Sequence, residues 1–233
     1  MQAVILAAGR GKRLLPLTKK IPKALALVNG KPILEIILKQ LKEVGVNEAV
    51  IITHHLNHKI KKYCQGSPFG IRTICVTQKR MLGTADAVLQ AEPYIKNDKF
   101  LCIAADSLFE TKLLRKLINT KADGVITCKE VEDTKPWGIL KVEGKKVLEM
   151  VEKPVIPPSN LANFSVYLFP IEIFAACKKV KPSARGELEI NDAIKMLIDQ
   201  GIVFTYVKSD YIMDIGTIEH LKKAEELAKK LGL

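Results

Sequence analysis

The sequence predicts an α/β fold: a mixed, mostly parallel sheet with helices on both faces and a small antiparallel region. Three observations carry this. Short apolar runs alternate with amphipathic stretches over residues 1–131, the order that builds parallel strands joined by helices. The run "FLCIAA" (100–105) has no polar alternation, as expected of a strand buried on both faces. Beyond residue 131 the pattern changes to two alternating runs around Glu143-Gly144-Lys145, a hairpin signal.

The elements follow in order. "AVILAA" (3–8) reads as a strand, "PILEIILKQLKEVG" (32–45) as an amphipathic helix stopped by Gly45, and "EAVIIT" (48–53) as a strand. A helix at 56–64, a strand at 71–77 and a helix opening at "GTADAVLQAEPYI" come next. After the strand 100–105, a helix is expected near 110–120 and a strand at 124–131. The hairpin leads into the proline-rich loop "PVIPPSN" (154–160), then a strand at 162–170 closed by Pro170. Helices at 171–178 and 188–200, short strands at 202–207 and 211–213, and a last helix from 217 complete the chain. That last helix carries an apolar stripe with two candidate partners, the rest of the domain or a second subunit of a homo-oligomer. The antiparallel region is expected to cover one side of a cleft.

Composition narrows the function. The 233 residues are 48% hydrophobic, enough for one large core. No apolar stretch is long enough for a membrane span, and the N-terminus enters a strand without a signal-peptide layout. Cys64, Cys75, Cys102, Cys128 and Cys177 are scattered and odd in number, which argues against a zinc site or a disulfide framework and for a reducing cytoplasm. The net charge of +12 is mostly lysine, in pairs such as 19–20, 61–62 and 222–223. No arginine-rich helix or aromatic platform accompanies it, so solvated lysine faces are expected rather than a nucleic-acid surface.

The first strand runs into "GRGKRLLPLTKKIPKAL", a long basic segment with two glycines and no clear periodicity. Such a loop at the carboxyl end of a buried strand is where α/β proteins hold anions. Two familiar phosphate motifs fail on spacing. Leu6 stands where a Walker A loop needs its first glycine and Arg13 where it needs Ser or Thr. Leu14 stands where a dinucleotide fingerprint needs its third glycine.

What remains, "LAAGRGKRL" followed by Pro22-Lys23, resembles the signature of the sugar-1-phosphate nucleotidylyltransferases. The resemblance continues in register through "LGTADAV", "AADS", "WGIL", "VEKP", "ANFSVYLF", "GELEINDAI" and "IMDIGT", and so spans nearly the whole chain. It implies a Rossmann-like fold with a nucleotide-binding half (1–131), a sugar-phosphate-binding half (132–216) and the C-terminal helix (217–233). Many such relatives carry a hexapeptide-repeat domain after the catalytic one; the chain ends at Leu233, so acetyltransferase activity is not expected.

The chemistry implied is attack of a sugar-1-phosphate oxygen on the α-phosphorus of a nucleoside triphosphate, with pyrophosphate leaving. Both reactants are anions, so such catalysis is charge neutralisation and in-line positioning. Leu6, Ala7, Ala8, Gly9 and Gly11 would present backbone to the nucleotide, the glycines because any Cβ would hold a phosphate away. By the resemblance, Arg13 binds the departing phosphates and Lys23 neutralises the α-phosphate and the incoming sugar phosphate. Asp106 and Asp214 are the implied Mg²⁺ ligands; read alone, each is a turn or helix-cap aspartate.

Gln78, Gly83 and Thr84 match the region where relatives read the base. A Gln amide suits uracil or thymine because it donates and accepts, so UTP or dTTP is expected, with GTP behind. Gly138, Glu152, Lys153, Asn163 and Glu187 are the sugar-phosphate candidates, and glucose-1-phosphate or an N-acetylhexosamine-1-phosphate the expected acceptor.

Three departures bear on the substrate. Lys12 replaces the usual Thr or Ser, Ala105 the usual Gly, and Phe164-Ser165 the usual Ala-Gly, so that the Phe is expected to narrow the sugar pocket. His54, His55 and His58 read as a helix start at the cleft rim, with a metal site as the alternative. Trp137 is either core or pocket lining.

Overall fold

The computed structural model describes residues 1–67 and 69–233. The chain order begins with strand β1 (Gln2–Ala7), the short helix α1 (Leu17–Lys20), and the two-residue strands β2 (Leu27–Val28) and β3 (Lys31–Pro32). Helix α2 (Ile33–Glu43), strand β4 (Glu48–Thr53), helix α3 (Asn57–Cys64), strand β5 (Arg72–Thr77) and helix α4 (Thr84–Leu89) follow. Next come β6 (Lys99–Ala104), β7 (Ser107–Phe109), α5 (Thr111–Asn119), β8 (Gly124–Glu130), β9 (Gly138–Glu143) and β10 (Lys146–Glu152). The chain closes with β11 (Leu161–Pro170), α6 (Ile173–Cys177), α7 (Ile190–Asp199), β12 (Phe204–Lys208), β13 (Ile212–Asp214) and α8 (Ile218–Leu231).

Nine strands form one sheet in the order β5-β4-β1-β6-β11-β8-β12-β10-β9. Pairing is parallel across β5, β4, β1 and β6 and between β8 and β12; the other neighbours are antiparallel. The antiparallel hairpin β9–β10 is therefore not a separate cover. It ends the same sheet, and β11 joins the parallel half to the rest.

The sheet separates two apolar layers because its central strands are buried on both faces. On β1, Ala3 and Ile5 join the core under α2, α5 and α8, while Val4 joins the core under α6 and α7. Helix α2 presents Ile33, Leu34, Ile37, Leu38 and Leu41, all fully buried, a stripe at helical spacing. Each such side chain contributes about 1.5–3 kcal/mol, and Leu38→Ala would cost about 2–5 kcal/mol through the void it leaves.

The longer elements fall within a residue or two of expectation. The helix expected from Gly83 through Ile95 stops at Leu89, and a separate 3₁₀ turn covers Glu92–Tyr94. Pro93 accounts for this, since its ring excludes the Leu89 carbonyl from a continuing helix. The aperiodic basic loop folds into α1 between 3₁₀ turns at Lys12–Leu14 and Lys23–Leu25, pieces too short for periodicity to register. The terminal helix buries Ala224 and Ala228 and packs on β2.

Candidate active site

The chain runs from β1 outward to β4 and β5, then returns to place β6 on the other side of β1. The loops leaving β1 and β6 thus diverge in opposite directions, which opens a crevice at the carboxyl ends of these two strands. A cavity of about 380 Å³ lies there. Of the site residues expected from the sequence, Leu6, Ala7, Ala8, Gly9, Gly11, Lys23, Gln78, Gly83, Thr84, Asp106, Glu187 and Asp214 line it, and so do Ala105 and Ser165 of the departures.

One end of the cavity is charged. Lys23 and Asp106 form an ion pair. Asp106 leaves β6 directly, whereas Asp214 arrives on the antiparallel ribbon β7–β13, opposite Ser107. The Ser107 hydroxyl donates to Asp214 Oδ1 at 3.0 Å, and the Ile215 amide donates to the Asp106 carbonyl at 2.8 Å. Burial and the neighbouring Asp106 carboxylate push the Asp214 carboxyl up to about 7, against the pull of Ser107, Lys23 and Arg13. Two carboxylates held this close raise each other's cost of ionisation. They are hard oxygen donors, and two carboxylates completed by phosphate oxygens and water are the ligand set that suits Mg²⁺.

Arg13 does not line the cavity. Its exposed guanidinium lies over Gly216, where an added Cβ would stand 3.1 Å from Nη2. It borders the same acidic end, since it acts on Asp214. The two loop glycines differ in their reasons. Gly11 sits at φ +61 with Thr18 and Lys23 packed where its Cβ would be, and the Thr18 hydroxyl donates to its carbonyl at 2.9 Å. Among the described residues beyond its chain neighbours, nothing lies within 4 Å of the Gly9 Cβ position, so packing does not explain Gly9, and its backbone is open to a ligand.

At the other end Gln78 is buried, and its Nε2 donates to Asp86 Oδ2 at 2.6 Å and to the Gly83 carbonyl at 3.3 Å. Both partners only accept, so the amide's donor side is spent and Oε1 remains as an acceptor. The two-way recognition expected of Gln78 is thereby reduced to one way. Gly83 is required by contact: at φ +122, its Cβ would lie 2.4 Å from the Leu188 carbonyl oxygen. Backbone bonds Leu188 N–Leu82 O (2.7 Å) and Ala85 N–Leu188 O (2.8 Å), with the Thr84 hydroxyl accepting from Ile190 N–H (2.9 Å), clamp the segment 82–85 onto 188–190. This clamp brings Glu187 to the cavity wall.

Four sugar-phosphate candidates stand outside the lining. Glu152 accepts from Asn191 Nδ2 at 3.0 Å and from Arg185 Nη2 at 3.3 Å. Gly138 packs against that same cluster, its Cβ position 3.2 Å from both Asn191 Nδ2 and Glu152 Oε2. Lys153 is exposed, in the left-handed region at φ 45. Asn163 donates to the Tyr167 hydroxyl at 2.8 Å, while its Oδ1 is buried without a partner among the described residues.

Phe164 does not narrow the pocket. It is buried with its ring 4.7 Å from that of Trp137, which places Trp137 against the core, and Ser165 is the residue that faces the cavity. Strand alternation explains this: Asn163, Ser165 and Tyr167 share one face of β11 and Phe164 the other. His54 Nδ1 bonds the Gln78 carbonyl at 2.8 Å and His55 Nε2 the Thr18 carbonyl at 3.0 Å. The histidines tie the start of α3 to the two loops of the site, and among the described residues no cluster of three or more His, Cys, Asp or Glu forms a metal centre. Sequence reasoning noted Ser165 only as a departure beside Phe164, and missed Asp86, Ser107, Tyr167 and Arg185. The β11 alternation was the available signal for Tyr167; Asp86 lies eight positions from Gln78, and Ser107 and Arg185 depend on long-range placement.

A cleft at a strand-order reversal, lined by glycines and closed by a lysine and two carboxylates, defines a protein that handles phosphorylated substrates. The nucleotidyl transferase family model matches residues 2–230. The chain is 34% identical to the UTP–glucose-1-phosphate uridylyltransferase AglF of Haloferax volcanii over 97% of this chain and 96% of that one. It is 36% identical to the bifunctional protein GlmU of Methanocaldococcus jannaschii over 93% of this chain, and spans about half (51%) of that relative's length. Among solved structures, a Bacillus anthracis protein assigned as a glucose-1-phosphate thymidylyltransferase superposes with a TM-score of 0.87 at 30% identity, covering 98% of this chain and 96% of that one. A UDP-glucose pyrophosphorylase complexed with UDP-glucose gives 0.86 at 26% identity, covering 98% of each. The chain belongs to the nucleotidyl transferase family and is a sugar-1-phosphate nucleotidyltransferase. No helix among the described residues is long and apolar enough to cross a membrane.

Proposed function

We propose that this enzyme joins UTP, or dTTP in its place, to glucose-1-phosphate or an N-acetylhexosamine-1-phosphate, giving the nucleotide sugar and pyrophosphate. The observation that carries the reading is the meeting of Lys23, Asp106 and Asp214 at one end of a cavity whose other end holds Gln78 and Gly83. The name of the Haloferax relative supports uridylyl transfer to glucose-1-phosphate, and the two structural neighbours support uridylyl or thymidylyl transfer.

In this reading the backbone of residues 6–11 faces the triphosphate. Lys23, a mobile point charge, leaves Asp106 to follow the phosphate oxygens as charge shifts during transfer. Asp106 and Asp214 hold Mg²⁺, which supplies Lewis-acid polarisation of the phosphates when bound. Arg13, at the rim beside Gly216, receives the departing pyrophosphate. Gln78 Oε1 accepts from the N3–H of uracil or thymine, a donor that both bases share. Glu152, steadied by Asn191 and Arg185, and Lys153 bind the sugar phosphate from the outer wall, with Gly138, Asn163 and Glu187 around the sugar. Residues 1–131 serve as the nucleotide half and 132–216 as the sugar half of one domain, in the cytoplasm.

Pyrophosphate release, measured with Mg²⁺ across five nucleoside triphosphates and a panel of hexose-1-phosphates, tests this. Turnover with UTP or dTTP that Lys23→Ala removes is the expected result. Preference for GTP or CTP would overturn the base assignment, and silence across the panel would overturn the substrate assignment.

A further inference from the structure

Helix α3 ends at Cys64, and strand β5, at the outer edge of the sheet, carries Cys75. The Thr73 hydroxyl donates to the Cys64 carbonyl at 3.0 Å. Thr73 and Cys75 lie two residues apart on one strand and so share a face; that face is the one against which the end of α3 rests. Both cysteines belong to the same apolar layer and so face the seam where the end of α3 packs on β5, close enough for each thiol to act on the other.

Their surroundings differ in a way that divides the chemistry. Cys75 is half-buried on an edge strand; the neighbouring Cys64 thiol chiefly, and the Lys61 ammonium from α3 to a lesser degree, favour its thiolate against the cost of partial burial. Cys64 is buried. An accessible thiol beside a cation, backed by a second thiol in contact, is the arrangement in which a sulfenic acid is captured as a disulfide. Cys102, Cys128 and Cys177 are all buried, and burial drives their thiols up, away from the reactive form.

We propose that Cys64 and Cys75 are a redox modification site, forming a reversible intramolecular disulfide that staples the end of α3 to the edge strand β5. With a peroxide as oxidant, the Cys75 thiolate attacks one peroxide oxygen; the O–O bond breaks, a sulfenic acid forms and water leaves. Cys64 Sγ then attacks the sulfenic sulfur, the S–O bond breaks, the S–S bond forms and a second water leaves. Two thiols lose two electrons and two protons, and one peroxide becomes two waters. A dithiol reductant reverses the step. The staple closes on the face of β5 that packs against α3, and Gln78, the first residue after that strand, lines the cavity, so the link stiffens the outer wall of the base end.

The test uses the full chain. Protein reduced with dithiothreitol is expected to show five reactive thiols after denaturation, and protein treated with stoichiometric hydrogen peroxide three. Proteolysis without reduction should release a linked peptide pair carrying Cys64 and Cys75, and the oxidised form should melt several degrees higher, reversibly with dithiothreitol. Cys75→Ser should keep its remaining thiols through the same treatment, and in Cys64→Ser a sulfenic acid should be trapped on Cys75 by a dimedone probe. Five thiols surviving oxidation, a link joining Cys102 to Cys177, or a disulfide between two chains would each overturn the proposal. Peptide mapping of the wild-type protein decides the matter if either variant fails to fold.

Discussion

The Ser107 hydroxyl and Asp214 Oδ1 meet at 3.0 Å across 107 positions of sequence. That bond closes the end of the ribbon whose register brings Asp214 beside Asp106, and the arrangement carries a cost. Two carboxylates lie close together with Lys23 paired to Asp106 alone, and the uncomplexed protein holds them against their mutual repulsion. The site is poised for a divalent cation at the expense of stability without one, a trade found where function needs unneutralised charge.

Replacing Asp214 exposes that cost. Its carboxyl is raised from 3.8 to about 7, so between those values the folded protein binds more protons than the unfolded chain, and stability falls as pH rises. Asp214→Asn removes this slope. In urea unfolding without metal, the variant should exceed wild type at pH 8 by on the order of 1–2 kcal/mol, discounted because the group keeps some contact with solvent, and the gap should narrow steadily as the pH falls from 7 toward 4. Added Mg²⁺ should raise the melting temperature of wild type and leave the variant where it was. An equal response in both proteins would remove Asp214 from the metal site.

Lys23→Ala should lower kcat by roughly a hundredfold or more, about 3–4 kcal/mol of transition-state stabilisation. It should also destabilise the metal-free protein at neutral pH, because Asp106 then loses its ion-pair partner beside Asp214. Lys23→Met separates the two effects of lost charge and lost packing, since it keeps most of the side-chain volume. Steady-state kinetics beside thermal melts at two Mg²⁺ concentrations would check both, and full activity in the Met variant would dismiss the lysine.

Much of the fold was legible because it rests on continuous apolar runs: Glu48–Thr53 was expected and observed with identical bounds. What was hidden is short or distant. Strand β7 is three residues long, below the length at which alternation shows, yet it carries the register that brings Asp214 to Ser107. The clamp of 82–85 on 188–190 joins segments about a hundred positions apart, and no local signal reports it. Phe164 misled for a different reason: its neighbours in the motif matched, and only the pleat of β11 decides that Ser165 rather than Phe164 meets the cavity.

That clamp makes Gly83→Ala a severe change. The new methyl would lie 2.4 Å from the Leu188 carbonyl oxygen at a φ of +122, and backbone on both sides leaves no cheap relief. A loss of about 2–4 kcal/mol is expected, with KM for the triphosphate rising more than kcat falls, because the clamp shapes the base end rather than the charged end. Urea denaturation and initial rates would show it; unchanged stability would mean the segments separate freely.

Asp86 sets the final prediction, because it decides which way Gln78 faces. Its carboxylate takes the Gln78 amide hydrogens at 2.6 Å, with the Gly83 carbonyl as second acceptor, so the group left for a base is an acceptor. Uracil and thymine offer a donor at N3; cytosine offers an acceptor there, which would leave two lone pairs opposed and a buried group unpaired. Asp86→Ala frees the amide to turn and present its NH₂ instead. The ratio of kcat/KM for CTP over UTP should then rise about tenfold, the worth of one hydrogen bond near 1.4 kcal/mol, while Lys23-dependent chemistry stays intact. Parallel assays with the two triphosphates measure the ratio directly. If it does not move, the amide's direction is set by the Gly83 carbonyl and the packing around Gln78, and Asp86 plays no part in choosing the base.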